Sequence, residues 1–286
     1  MNSETEEYYT EKYPTVLTIA GSDSSGGAGI QADIKSISAN GAYAASVITA
    51  LTAQNTQGVI DILPIPKAFI EAQIKAVMDD ITIDVVKIGM LHDAQTICAV
   101  RDMLKKYQVK NIILDPVMVA TSGHQLLENE AIETLKKELI PMATLITPNI
   151  PEAELLLGEP ITKQEDLPRA AKQLSQKFGH ISVLIKAGHM HGAKLIDILY
   201  NATTDEIVEI PSIRINTRNT HGTGCTLSSA IAAQLAQVND LTLAVQKGQQ
   251  YIAQAIKAGA HYHIGEGHGP VNHFYALTHR GHNHEQ

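Results

Sequence analysis

Short apolar runs alternate with amphipathic segments along most of the chain. The apolar runs are predicted as buried strands at residues 16–20, 46–51, 85–88, 111–114, 145–146 and 183–185. Apolar residues spaced three and four apart predict helices at 30–39, 67–78, 94–107, 131–139, 152–157 and 167–178. Alternating elements of this kind predict an α/β fold, with a mostly parallel sheet covered by helices on both faces.

The pattern changes after residue 195. Three β-rich runs, at 196–199, 207–210 and 213–215, follow one another without intervening helices, and two long helices begin near Gly224 and Leu241. Strands linked without crossover helices pair antiparallel, so we predict a small antiparallel edge to the sheet. We predict one domain at 15–275, a flexible acidic extension at 1–14 and a histidine-rich tail at 276–286.

A glycine-bracketed turn, Asn219 to Thr226, runs directly into the first of these two helices. Gly222, Thr223 and Gly224 can turn several N–H groups in one direction, and the positive end of the helix dipole adds to them, so the segment predicts a phosphate site. Cys225 lies in the first helical turn, where a thiol pKa is expected to be lowered.

Other unusual loops also follow predicted strands, at the edge where open parallel sheets bind ligands. The loop Gly21 to Gly29 is rich in glycine and serine, but it lacks both the P-loop ending and the spacing of a dinucleotide fold. Asp115 ends a strand and is either a helix cap or a ligand group. Asn149 and Glu152 lie about one helical turn apart and could hold Mg²⁺ through water.

Composition narrows the class of protein. The 286 residues carry a net charge of −8, which argues against a nucleic-acid surface or a basic membrane patch. Cys98 and Cys225 are the two cysteines, too few for a disulfide framework, and no apolar run of about 18 residues is present. We expect a cytoplasmic enzyme in a reducing compartment.

The motifs taken together and in order resemble the ribokinase family, and within it the hydroxymethylpyrimidine and phosphomethylpyrimidine kinases of thiamine synthesis. The motifs that carry the resemblance are Thr18-Ile-Ala-Gly-Ser-Asp23, Ser25-Gly-Gly-Ala-Gly-Ile-Gln-Ala-Asp33, Ala53-Gln-Asn-Thr56, Lys87-Ile-Gly-Met-Leu91, Asp115-Pro-Val-Met118, Thr147-Pro-Asn149, Asn219 to Thr226 and Gly269-Pro-Val271. The resemblance spans residues 15 to about 274 and implies a ribokinase-like fold. It further implies ATP-dependent phosphorylation of 4-amino-5-hydroxymethyl-2-methylpyrimidine and then of its monophosphate, with a homodimer as the assembly.

The same resemblance implies roles for individual residues. Gln54 would read the pyrimidine edge, since a carboxamide offers both a donor and an acceptor, and Asp23 and Met90 would line the substrate pocket. A second group would organise the ATP phosphates and Mg²⁺: Asp115, Asn149, Glu152 and Lys186, with Asp115 and Glu152 nearest the metal.

Cys225 stands where many sugar kinases that resemble this chain have an aspartate. We hypothesise that a neutral or partly ionised cysteine lets the site accept an anionic phosphate monoester, which a fixed aspartate would repel. The nucleophile of that second step is already ionised and needs no base. The alternative is a small helix-start residue without a chemical role.

Some features depart from the resemblance or leave alternatives open. In the candidate lid, Thr121 and His124 replace the lysine and aspartate common in relatives, and Ala120 replaces a cysteine found in certain pyridoxal kinases. The missing cysteine argues against pyridoxal phosphorylation but leaves it as an alternative, beside a non-catalytic pyrimidine-binding protein and a dinucleotide-dependent oxidoreductase. The histidines at 261, 263, 279, 282 and 284 are spaced irregularly, which favours a solvated segment over a metal site.

Overall fold

The computed structural model describes residues 12–118, 127, 129–190 and 194–278. The strands are β1 Thr15–Asp23, β2 Tyr43–Asn55, β3 Gly58–Pro64, β4 Val85–Ile88, β5 Ile112–Leu114, β6 Leu145–Ile146, β7 Ser182–Ile185, β8 Lys194–Asn201 and β9 Glu206–Ile213. The helices are α1 Gly29–Ala39, α2 Lys67–Met78, α3 Ala94–Lys106, α4 Asn129–Thr134, α5 Ile150–Leu157, α6 Leu167–Lys177, α7 Thr223–Val238, α8 Leu241–Gly259 and α9 Tyr275–Thr278.

All of these strands form one sheet in the order β3-β2-β1-β4-β5-β6-β7-β8-β9. The six central strands β2, β1, β4, β5, β6 and β7 run parallel to one another, whereas β3, β8 and β9 pair antiparallel at the two edges. Helices cover both faces. The predicted α/β class, the mostly parallel sheet and the antiparallel edge at β8 and β9 are confirmed.

Two predictions about strands were wrong. The runs 207–210 and 213–215 are predicted as separate strands, yet β9 is one strand that continues through Pro211 and ends at Ile213. An edge strand tolerates proline, because one row of its N–H groups has no partner strand. Strand β3 was missed because its exposed and half-buried residues follow no clean alternation.

The core lies on both faces of the sheet. Alternate strand residues point to opposite sides, so Leu17 packs toward α2 and α3 while Val16 packs toward α7 and α8. In the described part of the chain, no helix has the length and apolar character needed to cross a membrane. The domain boundaries at residues 14 and 275 stay predictions.

Candidate active site

A cavity of about 760 Å³ opens at the carboxyl ends of the parallel strands. It lies beside β1 and β4, where the strand order changes direction, which is the usual position for a ligand in such a sheet. Every candidate site residue from the sequence lines it: Asp23, Gln54, Met90, Asp115, Asn149, Glu152, Lys186, Gly222, Thr223, Gly224 and Cys225. The structure thus gathers residues that are far apart in the sequence around one cavity. Their individual roles stay predictions.

Asp23 organises the loop that follows β1. Its Oδ1 accepts hydrogen bonds from the N–H and hydroxyl of Ser25 at 2.8 and 2.7 Å, and its Oδ2 accepts from the N–H groups of Gly27 and Ala28 at 3.0 and 2.8 Å. His221 Nε2 lies 2.8 Å from the same Oδ2. Burial alone would raise the pKa of Asp23, but these bonds outweigh it and hold the pKa well below its usual range. Asp23 lies in the cavity wall, and its carboxylate accepts hydrogen bonds from its own loop and from His221.

Gln54 and Met90 lie beside this loop. The carboxamide of Gln54 contacts His221 and Thr52, and the Gln54 backbone N–H donates to the Ser24 hydroxyl at 2.9 Å. Met90 is buried, with its Cε only 2.7 Å from where a Cβ on Gly21 would stand. A glycine at position 21 therefore makes room for the methionine, and these residues form a largely uncharged end of the cavity, called the neutral end below.

The opposite wall carries charge and is called the charged end below. Lys186 Nζ donates to Asp115 Oδ1 at 3.0 Å, and the Thr147 hydroxyl donates to the same oxygen at 3.0 Å. Burial opposes ionisation of Asp115, but the ammonium groups of Lys186 and Lys87 prevail and lower its pKa. The pKa of Lys186 is raised, because Asp115 and Glu152 outweigh its burial. Both groups are charged at neutral pH.

Asn149 and Glu152 form a capping box at the start of α5. Asn149 Oδ1 accepts from the Glu152 N–H, and Glu152 Oε2 accepts from the Asn149 N–H, both at 2.9 Å. Burial, together with the nearby carboxylate of Asp115, raises the pKa of Glu152 to about 7 despite the opposing charge of Lys186. The pair therefore builds the helix start and also turns a titrating carboxyl group toward the cavity.

The start of α7 meets the loop after β1 at backbone distance. Gly222 has a φ of +76°, and a Cβ there would lie 1.8 Å from the Gly27 carbonyl oxygen. A Cβ on Gly224 would lie 3.3 Å from Asp115 Oδ2 and 3.4 Å from Lys186 Nζ. The Thr223 N–H donates to the Thr220 carbonyl at 3.3 Å, so that donor is already in use, whereas N–H groups in a first helical turn have no partner within the helix. The positive helix end thus faces the charged end.

The expected lowering of the Cys225 pKa was wrong. Burial raises the pKa of the Cys225 thiol to about 11; Lys87 opposes this change, while Asp33 and Asp115 add to it. Desolvation and neighbouring carboxylates thus outweigh the helix dipole at this position. The thiol is neutral at pH 7, which agrees with the hypothesis that this position carries no fixed negative charge.

Two features were missed by the sequence reasoning. His221 lies in the motif Asn219 to Thr226, and no role was predicted for it, although it contacts both Asp23 and Gln54. Lys87 is fully buried, and its Nζ lies 2.8 Å from both carboxylate oxygens of Asp33. A lysine inside the apolar run 85–88 was the available signal, because buried charges require a partner.

The donor set fits Mg²⁺ in a water-retaining site. Asp115 and Glu152 supply two carboxylates in one wall, and Mg²⁺ is commonly held by one or two carboxylates, waters and substrate phosphates. Within the described ranges, no group of three or more His, Cys, Asp and Glu side chains is placed to form a cage. That observation covers His261 and His263, whereas His279, His282 and His284 lie outside the described residues. So do the candidate lid residues Ala120, Thr121 and His124, and residues 1–11 of the predicted extension.

The sheet order, the helix that begins at a glycine and the cavity at the strand ends are those of the ribokinase-like fold, which this chain shares with solved phosphomethylpyrimidine and pyridoxal kinases. Residues 23–272 match the family described as phosphomethylpyrimidine kinase. The chain belongs to this family and is a kinase.

Curated relatives agree with this placement. The chain is 47% identical over 260 residues to the hydroxymethylpyrimidine/phosphomethylpyrimidine kinase of Rhizobium meliloti. The aligned residues cover 91% of this chain and 96% of that protein. It is 48% identical over 262 residues to the thiamine biosynthesis bifunctional protein of Geobacter sulfurreducens, covering 92% of this chain and 52% of that protein. The chain therefore spans about half the length of the bifunctional relative.

Solved structures show the same fold. The phosphomethylpyrimidine kinase of Clostridium difficile 630 has a TM-score of 0.76 and 46% identity, covering 86% of this chain and 100% of that one. The Bacillus subtilis pyridoxal kinase in its ADP complex has a TM-score of 0.83 and 35% identity, covering 93% and 99%. The family placement favours a kinase over the oxidoreductase and the non-catalytic binding protein.

Proposed function

We propose that this protein uses ATP to phosphorylate the hydroxymethyl group of 4-amino-5-hydroxymethyl-2-methylpyrimidine and then converts the monophosphate to the diphosphate, as in thiamine synthesis. The observation that carries the proposal is the division of one cavity into a neutral end at Gln54 and Met90 and a charged end at Asp115 and Lys186. The names of the relatives supply the substrate class.

At the neutral end, the pyrimidine ring would lie against Met90 with one polar edge on Gln54. The hydroxymethyl group would then point toward Cys225 and the start of α7. Holding the alcohol and the transferred phosphoryl group in line reduces the entropic part of the barrier, which is the main contribution a kinase can make to a loose transition state.

At the charged end, Lys186 and the start of α7 would neutralise the charge that develops on the transferred phosphoryl group. Asp115 keeps Lys186 in place, and Asp115 with Glu152 would hold Mg²⁺ partly through water. Mg²⁺ supplies further charge neutralisation to the ATP phosphates when it is bound. In the second step the attacking phosphate oxygen is already ionised, so the neutral Cys225 thiol is needed only to avoid repelling it.

The test is incubation with Mg-ATP and either the pyrimidine alcohol or pyridoxal, with products followed by mass spectrometry. Sequential mono- and diphosphate from the pyrimidine would support the proposal. Pyridoxal phosphate as the sole product would favour the second candidate, vitamin B6 salvage, for which the similarity to the Bacillus subtilis pyridoxal kinase speaks. Omission of Mg²⁺ should abolish turnover in either case.

The resemblance implied a homodimer and the composition implied a cytoplasmic enzyme, and we propose both. The β2–β3 hairpin forms one edge of the sheet and exposes Leu51, Ile60 and Leu63, the last two by 76% and 63%. Apolar side chains on a sheet edge suit a self-complementary contact. Light scattering should give a dimer for the wild type and a monomer for Ile60→Lys, while Leu277→Lys, at an exposed position on α9, leaves the dimer intact.

A further inference from the structure

The carboxamide of Gln54 is held between two side chains at the neutral end. As oriented in the structure, its Nε2 lies 3.3 Å from His221 Nε2, and its Oε1 lies 3.0 Å from the Thr52 hydroxyl. The oxygen and the NH₂ group of a carboxamide exchange places when the group turns by 180°. The partners therefore determine which orientation is stable.

His221 Nε2 cannot accept a hydrogen bond from Gln54. Its Nε2 lies 2.8 Å from Asp23 Oδ2, and Asp23 is ionised because the bonds it accepts hold its pKa low. An ionised carboxylate accepts hydrogen bonds but cannot donate, so His221 Nε2 must carry a proton. The NH₂ group of Gln54 is also a donor. Two donors then face each other across 3.3 Å, and no hydrogen bond can form between them.

The contacts of Thr52 also favour a turned carboxamide of Gln54. Its hydroxyl has a single proton but lies within reach of two acceptors, the Ser22 carbonyl at 2.8 Å and Gln54 Oε1 at 3.0 Å. It can donate to one of them only. If the carboxamide turns, Thr52 donates to Ser22 and accepts from Gln54 Nε2. Gln54 Oε1 then faces the protonated His221 Nε2 and shares its single proton with Asp23 Oδ2, in place of a contact between two donors.

We infer that Gln54 is locked in this turned orientation, with Oε1 toward His221 and Nε2 toward Thr52, and that the Asp23–His221 pair is the lock. His221 is thus a positioning residue that determines which hydrogen-bond pattern the cavity presents. The lock does not depend on the protonation state of the other ring nitrogen, because Nε2 carries a proton in either case.

The lock predicts the chemistry of the ligand edge, an inference that rests on the proposed function. A carboxamide has two N–H groups and two oxygen lone pairs, and the protein uses one of each. One lone pair on the His221 side and one N–H on the Thr52 side remain. They match an aminopyrimidine whose amino group lies toward His221 and whose adjacent ring nitrogen lies toward Thr52.

An oxopyrimidine presents the reverse order, a carbonyl beside a ring N–H. To bind it, Gln54 would have to turn its NH₂ group back onto the His221 N–H. Sites built to pair a particular polar group reject mismatched analogues by about 10⁴-fold or more, because buried donors are left unpaired. We therefore expect His221 to set the preference for amino over oxo pyrimidines.

The experiment compares kcat/KM for the 4-amino alcohol with that for its 4-oxo analogue. We expect a wild-type ratio on the order of 10⁴, and a ratio at least about tenfold smaller in His221→Gln, since a glutamine at 221 can present either an oxygen or an NH₂ group to Gln54. Ser24→Ala is the matched control. Ser24 bonds the Gln54 backbone and not its carboxamide, so that variant should keep the ratio even if activity falls.

Thr52→Val tests the other anchor and serves if His221→Gln fails to fold, as judged by thermal unfolding. Calorimetric binding of the two alcohols without nucleotide gives a second reading of the same preference. A ratio that stays within about twofold of wild type in a folded variant at each anchor would overturn the lock. Absence of turnover of the amino alcohol by the wild type would instead contradict the proposed function, and calorimetry would still test the lock.

Discussion

Asp23 at the neutral end and Asp115 at the charged end are both buried, but the cost of burying each carboxylate is offset in a different way. At the neutral end, the Asp23 carboxylate accepts hydrogen bonds from N–H groups of its own loop and from His221. At the charged end, Lys186 and Asp115 stay ionised by facing each other at 3.0 Å. The first arrangement fixes the direction of hydrogen bonds, and the second keeps charge available. We therefore expect substrate selectivity to depend on the neutral end and both rate and pH dependence on the charged end.

The largest expected effect comes from removing the cation of the charged end. Lys186→Met should lower kcat/KM about 10²–10³-fold, because the transition-state charge loses one fixed partner and Asp115 loses its ion pair. Steady-state kinetics with the amino and oxo alcohols measures this, and the ratio between the two should not change. Lys172→Met, at an exposed surface pair with Asp205, should leave the kinetics as they are. A change in the amino/oxo ratio alone would contradict the assignment of selectivity to the neutral end and of rate to the charged end.

The pH dependence of stability offers the next test. Burial raises the pKa of Glu152 from 4.5 to about 7, so between these values the folded state binds more protons than the unfolded state. Stability should therefore fall as pH rises through this window, by up to about 3 kcal/mol from this group. Glu152→Gln keeps the capping box but cannot titrate.

Denaturant unfolding of the wild type and Glu152→Gln from pH 4.5 to 8 gives the measurement. The difference between the two isolates Glu152, because Asp197, whose pKa burial raises to about 6, remains in both proteins. If the unfolding free energies of the two proteins change with pH in the same way, Glu152 does not titrate in this range.

A smaller and more selective effect is expected at the boundary between the two ends. Cys225→Asp places a carboxylate near Asp115 and should slow phosphorylation of the monophosphate at least about tenfold more than phosphorylation of the alcohol, since charges of equal sign repel across a poorly solvated site. Separate rates for each step provide the comparison, with Cys225→Ser as the uncharged control. An equal loss in both steps would refute the repulsion argument.

The smallest effect should come from the apolar wall of the neutral end. Met90→Leu conserves volume, and such changes in packed regions cost less than about 1.5 kcal/mol, so KM should change less than about tenfold. The amino/oxo ratio should stay the same, because the polar edge of Gln54 is untouched. A collapse of that ratio in this variant would place selectivity in shape and not in hydrogen-bond direction.

Sequence reasoning found the architecture because apolar periodicity is local. The run 85–88 and the helix 67–78 match β4 and α2 residue for residue. It failed at β9, where two runs were predicted but a single edge strand continues through Pro211. The local pattern of apolar residues does not predict whether a strand lies at the edge or in the centre of the sheet.

The same limit applies to the site. The sequence motifs identified residues that line the cavity, but they did not predict the protonation or the hydrogen-bond partners of these residues. The Cys225 pKa depends on Lys87, Asp33 and Asp115, which are distant in sequence. Likewise His221 acquires its role only when residues 23, 54 and 221 meet. Titration and hydrogen-bond direction are set by such neighbours, so they required the three-dimensional arrangement.

The contact of Gly222 with the Gly27 carbonyl has a consequence for the order of folding. It joins an early and a late part of the chain without any side chain between them. During synthesis, the loop after β1 must wait for nearly two hundred further residues before its partner emerges, and contacts of such sequence separation are slow to form. A ligand seated across this junction would fasten both parts of the chain together, so it should slow global unfolding as well as local opening.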